Sequence, residues 1–381
     1  MSKSYLTSYR ISDSVRSVIL DSLGEATTET SAKLIRYLGL SHKSESELVA
    51  DLIGEDSPTG GEPSSADGLE DGRSLLREAL HLLHVDIVVR VEPRYVGPAL
   101  PAGTDVFGCR CQSVSYGSGV YVECVHHPLA RFESVREIED NYTWPDPNWW
   151  DFSTIPSQIQ GLEDYPIQGG GSEPFLIYKN LRGQEQAYTD LVEHPELVHY
   201  CLDRLFDLAY ELTRRLYVAI PGKVLLSYVA EDLGGQEDLL ISPAHIREFL
   251  LPRMKRMIDL AHEAGAYVFH HNDGSCWRII PDMVSAGIDA LNPIQWRCRG
   301  MDRSVLKQRF GSQLVFHGAM DNQYTLPFGT VDEVRQEVLD NLHILGEGGG
   351  YILAPCHNLQ AITPPENIVA MYETAYEHGW T

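Results

Sequence analysis

Residues 266–295, AYVFHHNDGSCWRIIPDMVSAGIDALNPIQ, decide the fold. A short apolar run, AYVFHH, ends in the polar residues His271, Asn272, Asp273 and Gly274. Residues 276–286 then space their apolar side chains as a helix does, and a second apolar run, IDALNPI (288–294), ends in Gln295. Strand, helix and strand in so short a stretch mark a parallel pair with its crossover helix.

The pattern repeats outward in both directions. Further apolar runs lie at 85–91 (VDIVVRV), 174–181 (PFLIYKNL), 223–230 (KVLLSYVA), 313–320 (QLVFHGAM) and 350–355 (GYILAP). Helical spacing fills His194–Tyr217, Ala244–Ala264, Asp302–Phe310, Val331–Leu345 and Pro364–His378. Seven near-continuous apolar strands alternating with helices predict an α/β protein with a parallel sheet covered on both faces. They fit a (β/α)8 TIM-like barrel with one strand missed, and an open doubly wound sheet is the rival. Residues 105–165 break the alternation and read as a β-hairpin insertion followed by the Trp/Pro-rich loop YTWPDPNWWDF (142–152).

Residues 1–84 read as an N-terminal helical extension before a barrel of residues 85–381. Helices are expected over Ser14–Leu23, Ser31–Leu40 and residues 73–84. Between the last two, residues 54–72 (GEDSPTGGEPSSADGLEDG) lack apolar anchors and are expected to form a mobile loop.

Composition narrows the function. The chain has 381 residues, 43% hydrophobic and 22% charged, as globular proteins do. Its charge of 30 − 54 = −24, without a basic cluster, argues against nucleic-acid partners and anionic membrane surfaces. No apolar run reaches the length a membrane span needs, and MSKSYLTSYRISDSV lacks the apolar core of a secretory signal, so a cytoplasmic location is expected. The seven cysteines are scattered and predict no disulfide framework; Cys109-x-Cys111 reads as two reduced thiols. No P-loop, dinucleotide fingerprint or GxSxG elbow is present.

Chemistry is expected where the strands end. In a parallel barrel the C-terminal strand ends converge on one face, and the active site forms there. Those ends deliver Glu231, Asp232 and Gln236, then His271 and Asp273, then Gln295, then Asp321, and finally Cys356, His357 and Gln360. His271 and Asp273 stand two apart and should face one side, with His270 facing the other. An imidazole, a carboxylate and the Cys356 thiolate would suit a catalytic zinc. A hydrogen-bonded histidine beside a helix-capping aspartate fits the same spacing. Arg297 and Arg299 are the cationic groups expected nearest the pocket, and His126, His127 and His317 read as packed or solvated.

The stretches EDLGGQEDLLISPAHIREFLLPRMK, HHNDGSCWRIIPDMVSAGIDALNPIQ, GMDRSVLKQRFGSQLVFHGAMDNQYTLPFGT and GGGYILAPCHNLQAITPPENIVAMYE resemble the uroporphyrinogen decarboxylase superfamily. That resemblance implies a distorted (β/α)8 barrel and two known chemistries: porphyrinogen decarboxylation, and zinc-dependent methyl transfer to a corrinoid protein. The decarboxylases share an RQAGR motif that is absent here, Arg10, Arg16 and Arg36 being isolated. His357 falls where they keep a histidine, and Asp273-Gly274 matches their DG turn. His271 and Cys356 match the first and third zinc ligands of the methyltransferases, with Asp273 where the middle cysteine would be. The resemblance therefore implies a metal, zinc first, on His271, Asp273 and Cys356. A methyl group would pass from a small methylated ether or amine to cobalamin on a partner protein. Glu231, Asp321 and His357 would be catalytic, and Asp232, Gln236, Gln295, Arg297 and Gln360 would bind substrate. The alternatives are a decarboxylase of a porphyrinogen or smaller acid, and a barrel that binds a ligand without turnover. A homodimer is compatible with any of the three.

Overall fold

The computed structural model describes residues 28–41, 43, 48, 78–86, 88–115 and 120–379. The strands, in chain order, are β1 (Val89–Arg90), β2 (Arg94–Tyr95), β3 (Arg110–Ser115), β4 (Val120–His126), β5 (Trp150–Asp151) and β6 (Ile167–Ser172). β7 (Leu226–Ala230), β8 (Tyr267–His271), β9 (Ala290–Asn292), β10 (Val315–Met320) and β11 (Tyr351–Pro355) follow. Seven of them form one sheet in the order β1-β6-β7-β8-β9-β10-β11, and every pairing in it is parallel.

The larger helices are α1 (Thr28–Tyr37), α2 (Val135–Asn141), α3 (Pro174–Arg182), α4 (Gln184–Glu193), α5 (Pro195–Ala219), α6 (Leu251–Glu263), α7 (Ile280–Ala286), α8 (Arg303–Phe310), α9 (Val331–Gly346) and α10 (Pro365–His378). α5 to α9 are the crossovers from β6 to β11, and α10 follows the last strand. The sheet curls into a TIM-like α/β barrel wall. Side-chain alternation then sorts each strand. Val229, Val268 and Leu291 are fully buried in the apolar core. Tyr228, Phe269, His271, Asn292 and His317 line a cavity within the curl.

Two expected elements change places. PFLIYKNL is helix α3, and the strand is the preceding IQGGGS, β6. Phe175, Tyr178, Leu181 and Arg182 are the buried side chains of α3, spaced three to four apart as on a helix, and Pro174 sits in its first turn. The glycines of β6 allow close strand contact. Gly171 has φ +128°, and a Cβ there would lie 1.7 Å from the Tyr228 carbonyl oxygen. Within Ala244–Ala264, a π turn at Ile246–Leu250 precedes α6, because Pro252 has no N–H for the regular ladder. The helix expected from Cys276 begins at Ile280.

The insertion contains an antiparallel hairpin, β3 with β4, and an antiparallel pair, β2 with β5. In the N-terminal extension, α1 buries Leu34 and Ile35, and Lys33 Nζ donates to the Ala361 carbonyl at 2.6 Å. Residues 78–82 are helical. Ser14–Leu23 and residues 54–72 lie outside the described residues. Among the described residues no helix is long and apolar enough to cross a membrane.

α3 and α4 are locked by a buried charge cluster. Arg182 Nε and Nη2 donate to the two Asp190 carboxylate oxygens at 2.7 and 3.1 Å. Its Nη1 donates to the Leu129 and Phe132 carbonyls at 2.5 and 2.7 Å, and Tyr178 Oη donates to Asp190 at 2.5 Å. Burial alone would raise the Asp190 carboxyl, but hydrogen bonds from Arg182, Tyr178 and Gln186 outweigh it and hold the group below its ordinary range. Removing one partner leaves a buried charge uncompensated, so Asp190→Asn is expected to cost about 3–5 kcal/mol of stability at neutral pH. The contribution is present above the unfolded carboxylate pKa of about 3.9 and is lost as pH falls through the depressed folded value. Urea denaturation of parent and variant across pH checks this. The gap between them should close in acid; a gap below about 1 kcal/mol at pH 7, or one independent of pH, contradicts it.

Candidate active site

Asp232, His271 and Asp273 converge at the ends of β7 and β8. One ligand atom from each lies within 4.8 Å of the others. His271 Nε2 is 3.4 Å from Asp232 Oδ1 and 4.0 Å from Asp273 Oδ2. The other ring nitrogen, Nδ1, is 2.6 Å from Asn292 Oδ1, and Asn292 Nδ2 is 2.6 Å from His317 Nδ1. That bond fixes the ring and aims Nε2 at the two carboxylates.

Backbone and side chains hold the acids in turn. Gln295 Nε2 donates to Asp273 Oδ1 at 3.2 Å, and Gln295 Oε1 accepts the Gly274 N–H at 2.6 Å. Asp232 Oδ1 accepts the Asp273 N–H at 3.3 Å. The two strand-end loops touch through Gly234 and Gly274. A Cβ on Gly234 would lie 2.4 Å from the Asp273 carbonyl, so only glycine lets the two carboxylates approach.

The charge balance follows from this crowding. Burial would lower the His271 imidazole, but the Asp232 hydrogen bond, Asp273 and Asn292 outweigh it and raise it to about 9. Burial raises Asp232, yet the His271 partner holds it low. Glu173, just before α3, is pushed up to about 7 by burial, then by the Asp232 anion. Glu231 is fully buried, and desolvation drives its carboxyl well above the usual range. Its Oε1 accepts the Phe175 N–H at 2.9 Å in the first turn of α3, and its Oε2 has no protein partner.

A cavity of about 390 Å³ opens beside the cluster. His271, Asn292, His317, Tyr228, Phe269 and Arg90 are among its lining residues, as are Cys356 and His357. Tyr228 stacks on Phe269 and on His271, with ring centroids 6.4 and 5.8 Å apart.

The sequence-expected residues fall into three places. His271, Asp273 and Asp232 meet, with Asp232 expected at substrate rather than among ligands. Gln295 touches Asp273, and His357 Nε2 is 3.9 Å from Asp273 Oδ2. The rest are turned elsewhere. Cys356 lies outside the cluster, its Sγ donating to the Ile294 carbonyl at 3.3 Å, and burial drives its thiol well up. Arg297 pairs with Asp321 at 2.5 Å and stacks over Trp296. Gln236 is exposed and faces the Cys298 thiol, while Gln360 donates to the Asn358 carbonyl in its own loop. His270 faces away from His271, its Nδ1 2.6 Å from the Val229 carbonyl oxygen. Asn292 and Glu173 were missed. Asn292 follows the apolar run of β9 as the other site residues follow theirs, whereas Glu173 was hidden by reading α3 as a strand.

As a test of the site, the donor set fits a divalent cation: one imidazole, two carboxylates, an oriented ring and adjoining space. The uroporphyrinogen decarboxylase (URO-D) family matches residues 126–378. The chain is 26% identical over 280 residues to a uroporphyrinogen decarboxylase of Psychromonas ingrahamii, covering 68% of this chain and 74% of that protein. To the Nitrosococcus oceani enzyme of that name it is 24% identical over 221 residues, spanning 55% of that protein. Among solved structures, a methyltransferase from Methanosarcina mazei shares the fold, with a TM-score of 0.63 at 19% identity over 98% of both chains.

The ion pair makes a direct prediction. Asp232→Asn removes the anion that favours the imidazolium, so in metal-free protein the His271 titration should fall from about 9 toward the ordinary value. Histidine-resolved NMR titration reads this. An unmoved His271 titration would show that the imidazole is not held by Asp232.

Proposed function

The chain belongs to the uroporphyrinogen decarboxylase (URO-D) family, and on that premise we propose that it is a metal-dependent methyltransferase. In this reading it moves a methyl group from a small methylated ether or amine to cobalamin on a partner corrinoid protein. The carrying observation is the convergence of Asp232, His271 and Asp273 beside the cavity. A bound divalent cation, zinc first, would serve there as a Lewis acid on the leaving heteroatom.

The chain's own groups do the rest. Asn292 orients His271, and Gln295 holds Asp273. Tyr228 and Phe269 wall the cavity with flat apolar surface that displaces water from a bound donor. His357 and Glu173 border the acids, where a departing heteroatom needs a proton. Asp321 and Arg297 brace the neighbouring loop through their ion pair.

Decarboxylation of a polycarboxylic porphyrinogen is less well served. Arg90 is the sole arginine among the cavity's lining residues, and Asp232 and Asp273 present negative charge beside it.

Elemental analysis of purified protein should find close to one divalent metal per chain. His271→Ala and Asp232→Asn should lose it, while Cys356→Ser should keep it. With reduced cobalamin protein and a methylated donor, the parent should form methylcobalamin, read from its absorption spectrum. Metal retained by both ligand variants, or carbon dioxide release from a porphyrinogen without methyl transfer, would overturn the proposal.

A further inference from the structure

Five of the seven cysteines are buried; Cys111 and Cys124 are the two that solvent reaches. They stand 13 positions apart in the sequence (124 − 111 = 13), but the fold sets them face to face. In the β3–β4 hairpin, Cys111 and Cys124 are register partners, beside an irregularity between Arg110 and Cys111. Directly opposed residues of an antiparallel pair hold their Cα atoms about 4.5–5.5 Å apart, within the range a disulfide spans. The hairpin stands outside the barrel sheet, so closing this bond does not require the cavity to move.

Cys124 is a crowded sulfur. Its Sγ donates to the His126 carbonyl at 3.3 Å, and it lies 3.6 Å from both His127 Nδ1 and the Asn180 carbonyl of α3. His127 Nδ1 is itself 2.7 Å from that same carbonyl, so the imidazole and the thiol are both fixed against α3. A third thiol, the fully buried Cys109, is close enough to Cys124 for the two to interact electrostatically.

We propose that Cys111 and Cys124 form an oxidant-sensitive pair, closed to a disulfide by a peroxide. The Cys111 thiolate attacks a peroxide oxygen, breaking the O–O bond and giving a sulfenic acid and hydroxide. The Cys124 sulfur then attacks the Cys111 sulfur, forming the S–S bond and expelling a second hydroxide. The two thiol protons end on those hydroxides. Two thiols and one hydrogen peroxide thus become one disulfide and two waters. Burial raises the Cys124 thiol, which suits it to the second step rather than the first. Cys109 is shut from solvent and stays reduced.

The test is hydrogen peroxide treatment of the full chain at neutral pH, followed by thiol counting and non-reducing peptide mapping. The free thiols should fall from seven to five, with one new linkage, Cys111 to Cys124, reversed by dithiothreitol. In Cys124→Ser the linkage should vanish and Cys111 should become labelled by a sulfenic-acid probe. In Cys109→Ser the Cys111–Cys124 linkage should form as in the parent. A Cys109–Cys124 linkage in its place, loss of Cys111 to sulfinic acid without a linkage, or seven thiols left intact would each overturn the proposal.

Discussion

The site depends on one electrostatic constraint: two strand ends bring two carboxylates within 4.8 Å of each other and of one imidazole. Asp232 and Asp273 close on His271, with Glu173 and the buried Glu231 behind them. Such a set needs a positive charge at its centre. In the metal-free chain the His271 proton supplies it, which is why the imidazole is raised while Asp232 is held low. A divalent cation would supply the same charge, with the two carboxylates and a neutral His271 imidazole as the groups that would hold it. The surrounding geometry serves that centre: Gly234 against Gly274 for the approach, Asn292 for the ring, Gln295 for the second carboxylate.

The same arrangement separates this chain from the ligand pattern its sequence suggests. A His, Asp and Cys set would have mixed hard and soft donors. The fold instead turns the Cys356 thiol to the Ile294 carbonyl and brings in a second carboxylate, which shifts the preference toward harder cations. Cys356 and His357 follow the end of β11 and both border the cavity, but their reacting atoms go to different partners. His357 is the one near Asp273.

Much of this was legible. β10 is buried throughout and the residues of β7, β8 and β11 are all buried or half-buried, so these strands read as largely apolar runs, and α5, α9 and α10 show helical periodicity. The same alternation put His271 and Asp273 on one side. β6 was hidden because three glycines carry no hydrophobic signal; Gly169 and Gly170 make room for the Val91, Leu216 and Thr213 side chains and Gly171 for the Tyr228 backbone, packing that the sequence does not display. α3 was misread because eight largely apolar residues fit a strand as well as a buried helix, and that error concealed Glu173. Asp232 follows Glu231 directly, and nothing in the pair says which carboxylate turns toward the site. Burial decides: Glu231 caps α3 from inside, and Asp232 faces His271.

The central claim is that these three side chains hold a metal. Anomalous diffraction at the metal absorption edge, on crystals grown without chelator, tests it most directly. An anomalous peak is expected within coordination distance of Asp232, His271 and Asp273 and away from the Cys356 sulfur. A peak on Cys356, or density among the three residues with no anomalous signal in protein shown to contain metal, would contradict it.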